Sequence, residues 1–230
     1  MTTTMIREAM GGWVEARRAL GLAAGALLLA TTVTAQTPQP DRGRWRLGAA
    51  TGAYVPFSAL IRAADLNDTE LTAGPFFSLE PQYLTSRYVT IYANGTLAFG
   101  TIRPGSSIQP AATGPSNQMM LGTGTAGVRL TTGSPGDWIE PTLRAGGGFK
   151  WYSFDLTGAA DQVRPTADIG LGFRGIGTGG IEFTAEVRYL LSSFDQSKLP
   201  TRGIAPQDQL QNDLVFSVGV WIRPRAGRGP

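Results

Sequence analysis

Neither cysteine nor histidine occurs anywhere in the 230 residues. Without cysteine there are no disulfides and no thiolate metal sites. Without histidine the chain lacks the commonest general base and the commonest transition-metal ligand. Charge is sparse as well. Only 16% of residues are charged, the formal net charge is +3, and Lys and Arg form no stripe. That leaves no electrostatic footprint for nucleic acid. Beyond residue 30 no apolar run approaches the ~20 residues that a membrane-spanning helix needs. Yet 42% of the chain is hydrophobic, which excludes a disordered polymer.

The start of the chain reads as an address. Arg7, Arg17 and Arg18 make a positive region, Ala19–Ala30 an apolar run, and Val33-Thr34-Ala35 a small-residue cleavage site. Residues 1–35 are therefore expected to be a secretory signal peptide, cleaved before Gln36. Residues 36–44, polar and proline-rich, are expected to be a flexible lead-in.

From Trp45 onward the chain divides into eight segments of about ten residues: 45–55, 75–84, 88–99, 118–130, 138–152, 165–174, 181–191 and 213–222. Gly, Pro, Ser and Asp cluster between them. Within most segments alternate residues are apolar, as in Ala167, Ile169, Leu171 and Phe173, or Ile181, Phe183, Val187 and Tyr189. No charge falls in that set. The opposite set carries Arg46, Arg129, Arg144, Lys150, Arg174 and Arg188 against Glu80, Glu140, Asp168, Glu182 and Glu186.

Such alternation fits a soluble barrel with its apolar face inside, or a membrane barrel with that face outside. Three features favour the second. Aromatic residues gather at both segment ends, with Trp45, Tyr83, Trp138, Phe173 and Trp221 at one and Phe57, Phe99, Trp151, Phe154, Tyr189 and Phe194 at the other. The connections alternate between short (85–87, 131–137, 175–180) and long (56–74, 100–117, 153–164, 192–212), the rhythm of short periplasmic turns and long outer loops. Finally, the polar set is rich in glycine, which a narrow lumen filled by long charged side chains requires.

In segment number, loop rhythm and charged lumen, the chain resembles the small eight-stranded outer-membrane barrels of the OmpA/OmpX type. The resemblance covers about residues 45–222, with PTADIGLGFRG and IEFTAEVRYLLSSF similar to late strands of such domains. It implies an all-β fold, an eight-stranded antiparallel up-and-down transmembrane barrel in the bacterial outer membrane. Family members commonly end on an aromatic residue in the last strand; here Trp221-Ile222 is followed by a basic tail, residues 223–230.

The functional expectations follow. Glu80, Arg144, Asp168, Glu186 and Arg188 should lie at middle depth and pair with one another, since lone charges there are costly. A structural network filling the barrel is the favoured reading, and a gated ion path the other. No catalytic, cofactor-binding or metal-binding set is expected. Asp65, Asn67, Asp68 and Glu70 lack the glycine turn of a calcium loop. Gly122-x-Gly124 and Gly170-x-Gly172 precede no helix. The expected role is structural or surface-interacting, as a monomer in outer-membrane lipid, with any partner meeting the four long loops. The alternatives are a small ion or solute pore and a soluble periplasmic ligand-binding barrel.

Overall fold

A computed structural model describes residues 44–61, 68–86, 88–105, 108, 117–132, 138–177, 181–201 and 208–222. The signal-peptide segment, the lead-in up to residue 43, the tail 223–230, and Asp65 and Asn67 lie outside the described residues.

Eight long strands form the barrel: strand 1 (Arg44–Pro56), strand 2 (Gly74–Leu84), strand 3 (Val89–Arg103), strand 4 (Gln118–Thr131), strand 5 (Ile139–Phe154), strand 6 (Gln162–Ile176), strand 7 (Ile181–Asp195) and strand 8 (Asp208–Ile222). Each pairs antiparallel with its neighbour in sequence, and strand 1 pairs with strand 8 from Leu47↔Ile222 to Pro56↔Asp213. The sheet therefore closes with no free edge. Closure satisfies the backbone donors and acceptors that an open edge in hydrocarbon would leave unpaired. The two-residue strand Glu70–Leu71 adds to the top of strand 3 at Arg103 and Ile102.

Local chemistry sets the turns. Between strands 2 and 3, Ser86 Oγ accepts from the Val89 N–H at 3.0 Å, and the Thr85 hydroxyl donates to the Val89 carbonyl at 2.9 Å. Side chains here do the hydrogen bonding of a tight turn. Long connections lie at the opposite end, as the spacing of the segments predicts.

Strands 3, 7 and 8 run four to five residues past the predicted segments at the long-loop end. There the facing is kept but the polarity of the two faces reverses. Over most of strand 7, Glu182, Glu186 and Arg188 point inward and Phe183, Val187 and Tyr189 outward. Near its end, Leu190 and Phe194 are buried inside the barrel. A hydrophobic core fills this end. Tyr54, Phe76, Leu121, Tyr152, Leu190, Phe194 and Val215 enter from the strands. Leu60, Ile61, Ile108, Leu156 and Leu199, drawn from all four long connections, close over them.

Two aromatic assignments are corrected. Phe194 and Trp221, expected in the outer girdles, are 0% and 3% exposed inside the barrel. Trp221 shares its strand parity with Asp213 and Val215, both inward and buried, while its neighbour Ile222 is outward and exposed. Phe194 lies in the reversed zone, edge-on to Tyr152 at 5.2 Å. Phe154 is half-buried against the same cluster.

Candidate functional site

The twelve buried charged side chains among the described residues all lie in the strands. Six are cations, Arg46, Arg129, Arg144, Lys150, Arg174 and Arg188. Six are acids, Glu80, Glu140, Asp168, Glu182, Glu186 and Asp213. Sequence reasoning missed Asp213. The signal was present, because Asp213 opens the inward parity of strand 8 and converts six against five into an even balance.

The charges form three groups. The central one begins with an unfavourable arrangement. Arg129 and Arg144 are directly opposite on adjacent strands 4 and 5, where like charges repel. Two glutamates reach across the lumen to separate them. Glu80 from strand 2 meets Arg129 and Arg144, each at 2.8 Å. Glu186 from strand 7 meets Arg129 at 2.6 Å and Arg144 at 3.1 Å. Asp168 then joins Arg144 to Arg188, at 2.9 Å to each. Three guanidinium groups and three carboxylates thus neutralise one another, with Arg129 added to the set predicted at middle depth.

Uncharged groups supply further hydrogen bonds, while Nε of Arg129 and of Arg144 is buried without a partner. Gln82 Nε2 donates to Glu80 at 2.6 Å, Asn94 Nδ2 to Glu80 at 3.2 Å, and the Thr125 hydroxyl to Asp168 at 3.2 Å. The Arg144 guanidinium lies 4.0 Å from the centre of the Tyr92 ring, a cation–π contact in a desolvated site. A buried charge stays ionised only with this degree of compensation.

Glycine makes the spacing feasible. Gly170 sits in register between Arg144 and Arg188. A Cβ there would lie 2.9 Å from Cγ of Arg144 and 3.1 Å from Cγ of Arg188. Gly48 serves Trp221 in the same way, since its Cβ would fall 2.3 Å from the indole nitrogen. The Trp221 ring in turn lies 5.5 Å from the Arg129 guanidinium.

The second group lies toward the short-turn end. Arg46 pairs with Glu182 at 2.6 Å, and the Arg174 Nε donates to Glu140 at 3.0 Å. The third group sits under the apolar cap at the other end. Lys150 pairs with Asp213, donates to the Tyr54 hydroxyl at 2.9 Å, and lies 4.6 Å from the Tyr152 ring centre. Beside the central group lies a polar void of about 10 Å³, room for one water molecule, lined by Glu80, Arg144, Arg188 and Trp221 among others.

The outer wall has the opposite character. Leu79, Phe149, Ile169 and Leu171 are more than half exposed, with Trp45 and Trp138 toward the short-turn end. On strand 6 this apolar face runs from Val163 to Phe173. Those eleven positions match the ~9–11 residues that cross a bilayer as a tilted strand. Ser153, Asp161, Ser193 and Asp195 follow on the outward faces above it.

No family model matches the chain, and no curated protein matches it. Solved structures do. Neisserial surface protein A is 14% identical, with 81% of this chain and 100% of that one covered and a TM-score of 0.54. The outer membrane protein OprG of Pseudomonas aeruginosa is 11% identical, with 80% and 97% covered and a TM-score of 0.57. The chain therefore has the fold of the small eight-stranded outer-membrane β-barrels.

Proposed function

We propose that the protein is a closed barrel of the bacterial outer membrane, a rigid anchor that presents its long loops to the environment, with a structural or surface-interaction role. The observation that carries this reading is the inside-out distribution of side chains. Arg144 is 2% exposed and Asp168 0%, while Leu171 is 65% exposed. Water would penalise that outer surface, and hydrocarbon accommodates it. The paired charges and the apolar cap together support a sealed lumen over a pore. On the loop side, Asp68, Glu70, Arg103, Asp155, Asp161 and Lys198 are exposed, a mixed-charge surface suited to polar partners.

Purified protein in a planar bilayer tests the reading. The expected result is heat-modifiable gel migration, the signature of a closed barrel, with no steady single-channel current. Sustained currents would favour the small pore. Release from cell envelopes without detergent would favour a soluble periplasmic barrel.

A further inference from the structure

We infer that the described arms of the first long connection, residues 57–61 and 68–71, form a lid over the lumen, stitched at one edge and held at the other by a latch running from the Lys150–Asp213 ion pair through Gln211 to Ser58. The inference rests on the sealed-lumen reading and deepens it, because it identifies what keeps the seal shut.

The stitched edge is backbone. Glu70 and Leu71 pair with Arg103 and Ile102. The two arms of the connection are joined by a bridge at Ile61↔Thr69, with the Leu60 N–H donating to the Thr69 carbonyl at 2.7 Å. The Gly105 N–H adds a bond to the Thr69 hydroxyl at 2.9 Å. These contacts hold the two arms together.

On the other edge, Gln211 Nε2 donates to the Ser58 carbonyl at 2.9 Å and lies 3.4 Å from Asp213 Oδ1. The Asn212 N–H donates to Ser58 Oγ at 3.0 Å, and the Phe57 N–H to the Asn212 carbonyl at 2.8 Å. Gln211, Asp213 and Lys150 are all fully buried. Lys150 fixes one carboxylate oxygen of Asp213, and the other faces the Gln211 amide. The amide is thereby aimed at the lid. Directly after Ser58, Leu60 and Ile61 insert fully buried into the apolar cap. A buried hydrogen bond that loses its donor costs more than an exposed one, so this short chain of contacts controls the lid disproportionately. Local opening of such a unit requires no unfolding of the barrel.

The natural absence of cysteine makes the test clean. Val215 is fully buried beneath the cap, and Val215→Cys places a thiol there. The probe is a charged, water-soluble methanethiosulfonate reagent applied to the full chain folded in detergent. In the Val215→Cys parent, labelling should be slow compared with a cysteine at exposed Asp161. Adding Gln211→Ala should speed labelling by about tenfold, the effect of losing one buried hydrogen bond on an opening equilibrium. Gln211→Met, which keeps the volume and cannot donate, should do the same, and it separates hydrogen bonding from packing. Heat-modifiable migration reports that each variant keeps its barrel. Intact Gln211→Ala and Gln211→Met barrels labelled at the slow parental rate would overturn the latch while leaving the sealed lumen standing. Fast labelling of the parent itself would overturn both.

Discussion

Leu143→Arg is expected to lower the stability of the folded barrel in lipid by about 1–3 kcal/mol, the cost of a guanidinium facing hydrocarbon between the bilayer midplane and the short-turn interface. Leu143 is 43% exposed on strand 5, in register with Leu130 and Leu171 on the flanking strands. All three belong to the apolar belt, so the new charge has no polar neighbour to meet. A urea folding titration into lipid vesicles measures the difference. Leu143→Phe keeps the face apolar and should leave the midpoint nearly unchanged. From the alternating pattern alone, Thr142→Arg next door is expected to be milder than Leu143→Arg. The structure revises that expectation. Thr142 is buried in a lumen whose six cations already match six acids. An arginine added there has no acid to pair with and too little volume, so it should also destabilise the protein.

Arg144→Met should cost about 3–5 kcal/mol, the range for removing one partner of a buried ionic network. Arg144 bridges Glu80, Asp168 and Glu186, so its loss leaves three acids with two guanidinium groups. Pairing it with Glu80→Gln should recover part of the loss, because the uncompensated charge is removed as well. The contrast is Arg164→Met. Arg164 bridges Asp195 at 2.8 Å, with both side chains 23% exposed, and solvent screens that pair. Its removal should cost less than about 1 kcal/mol. Denaturant midpoints of the detergent-folded proteins give all three values. Similar losses for Arg144→Met and Arg164→Met would mean that water already screens the lumen.

Much of the fold is legible because strand facing has a period of two and a one-residue slip would expose every charge to lipid. Arg144, Asp168 and Arg188 alternate with Leu143, Ile169 and Val187, and that contrast assigns both faces at once. Legibility fails where the environment changes along a single strand. Above the belt the outside is polar and the inside apolar, so Leu190 and Phe194 carry the period with its meaning reversed. A reading that holds one facing rule throughout ends strand 7 at residue 191 and sends Phe194 outward. Trp221 misleads for another reason. A tryptophan near a strand end suits a headgroup boundary, yet the cradle made by Gly48 and the nearby Arg129 draw it inside.

The charged residues themselves are legible, and their partners are not. Glu140 and Arg174 are cross-strand neighbours, a pairing that register alone explains. Glu80 meets Arg129 and Arg144 across the lumen, from strands that share no hydrogen bonds. Which residues meet in that way depends on strand tilt and stagger, and alternation does not encode either. The Lys150–Asp213–Gln211–Ser58 chain is hidden for the same reason, with 153 positions separating Ser58 from Gln211.

A nitroxide scan along strand 6, residues 165–173, in lipid vesicles tests the arrangement of faces most directly, and the cysteine-free chain needs no prior substitutions. Labels at 165, 167, 169, 171 and 173 should collide often with dissolved oxygen, which concentrates in hydrocarbon. Those at 166, 168, 170 and 172 should be shielded from oxygen and from a water-soluble nickel chelate. The reverse pattern, with the odd positions shielded from both and the even positions open to the chelate, would describe a barrel with a greasy interior in water and would contradict the account.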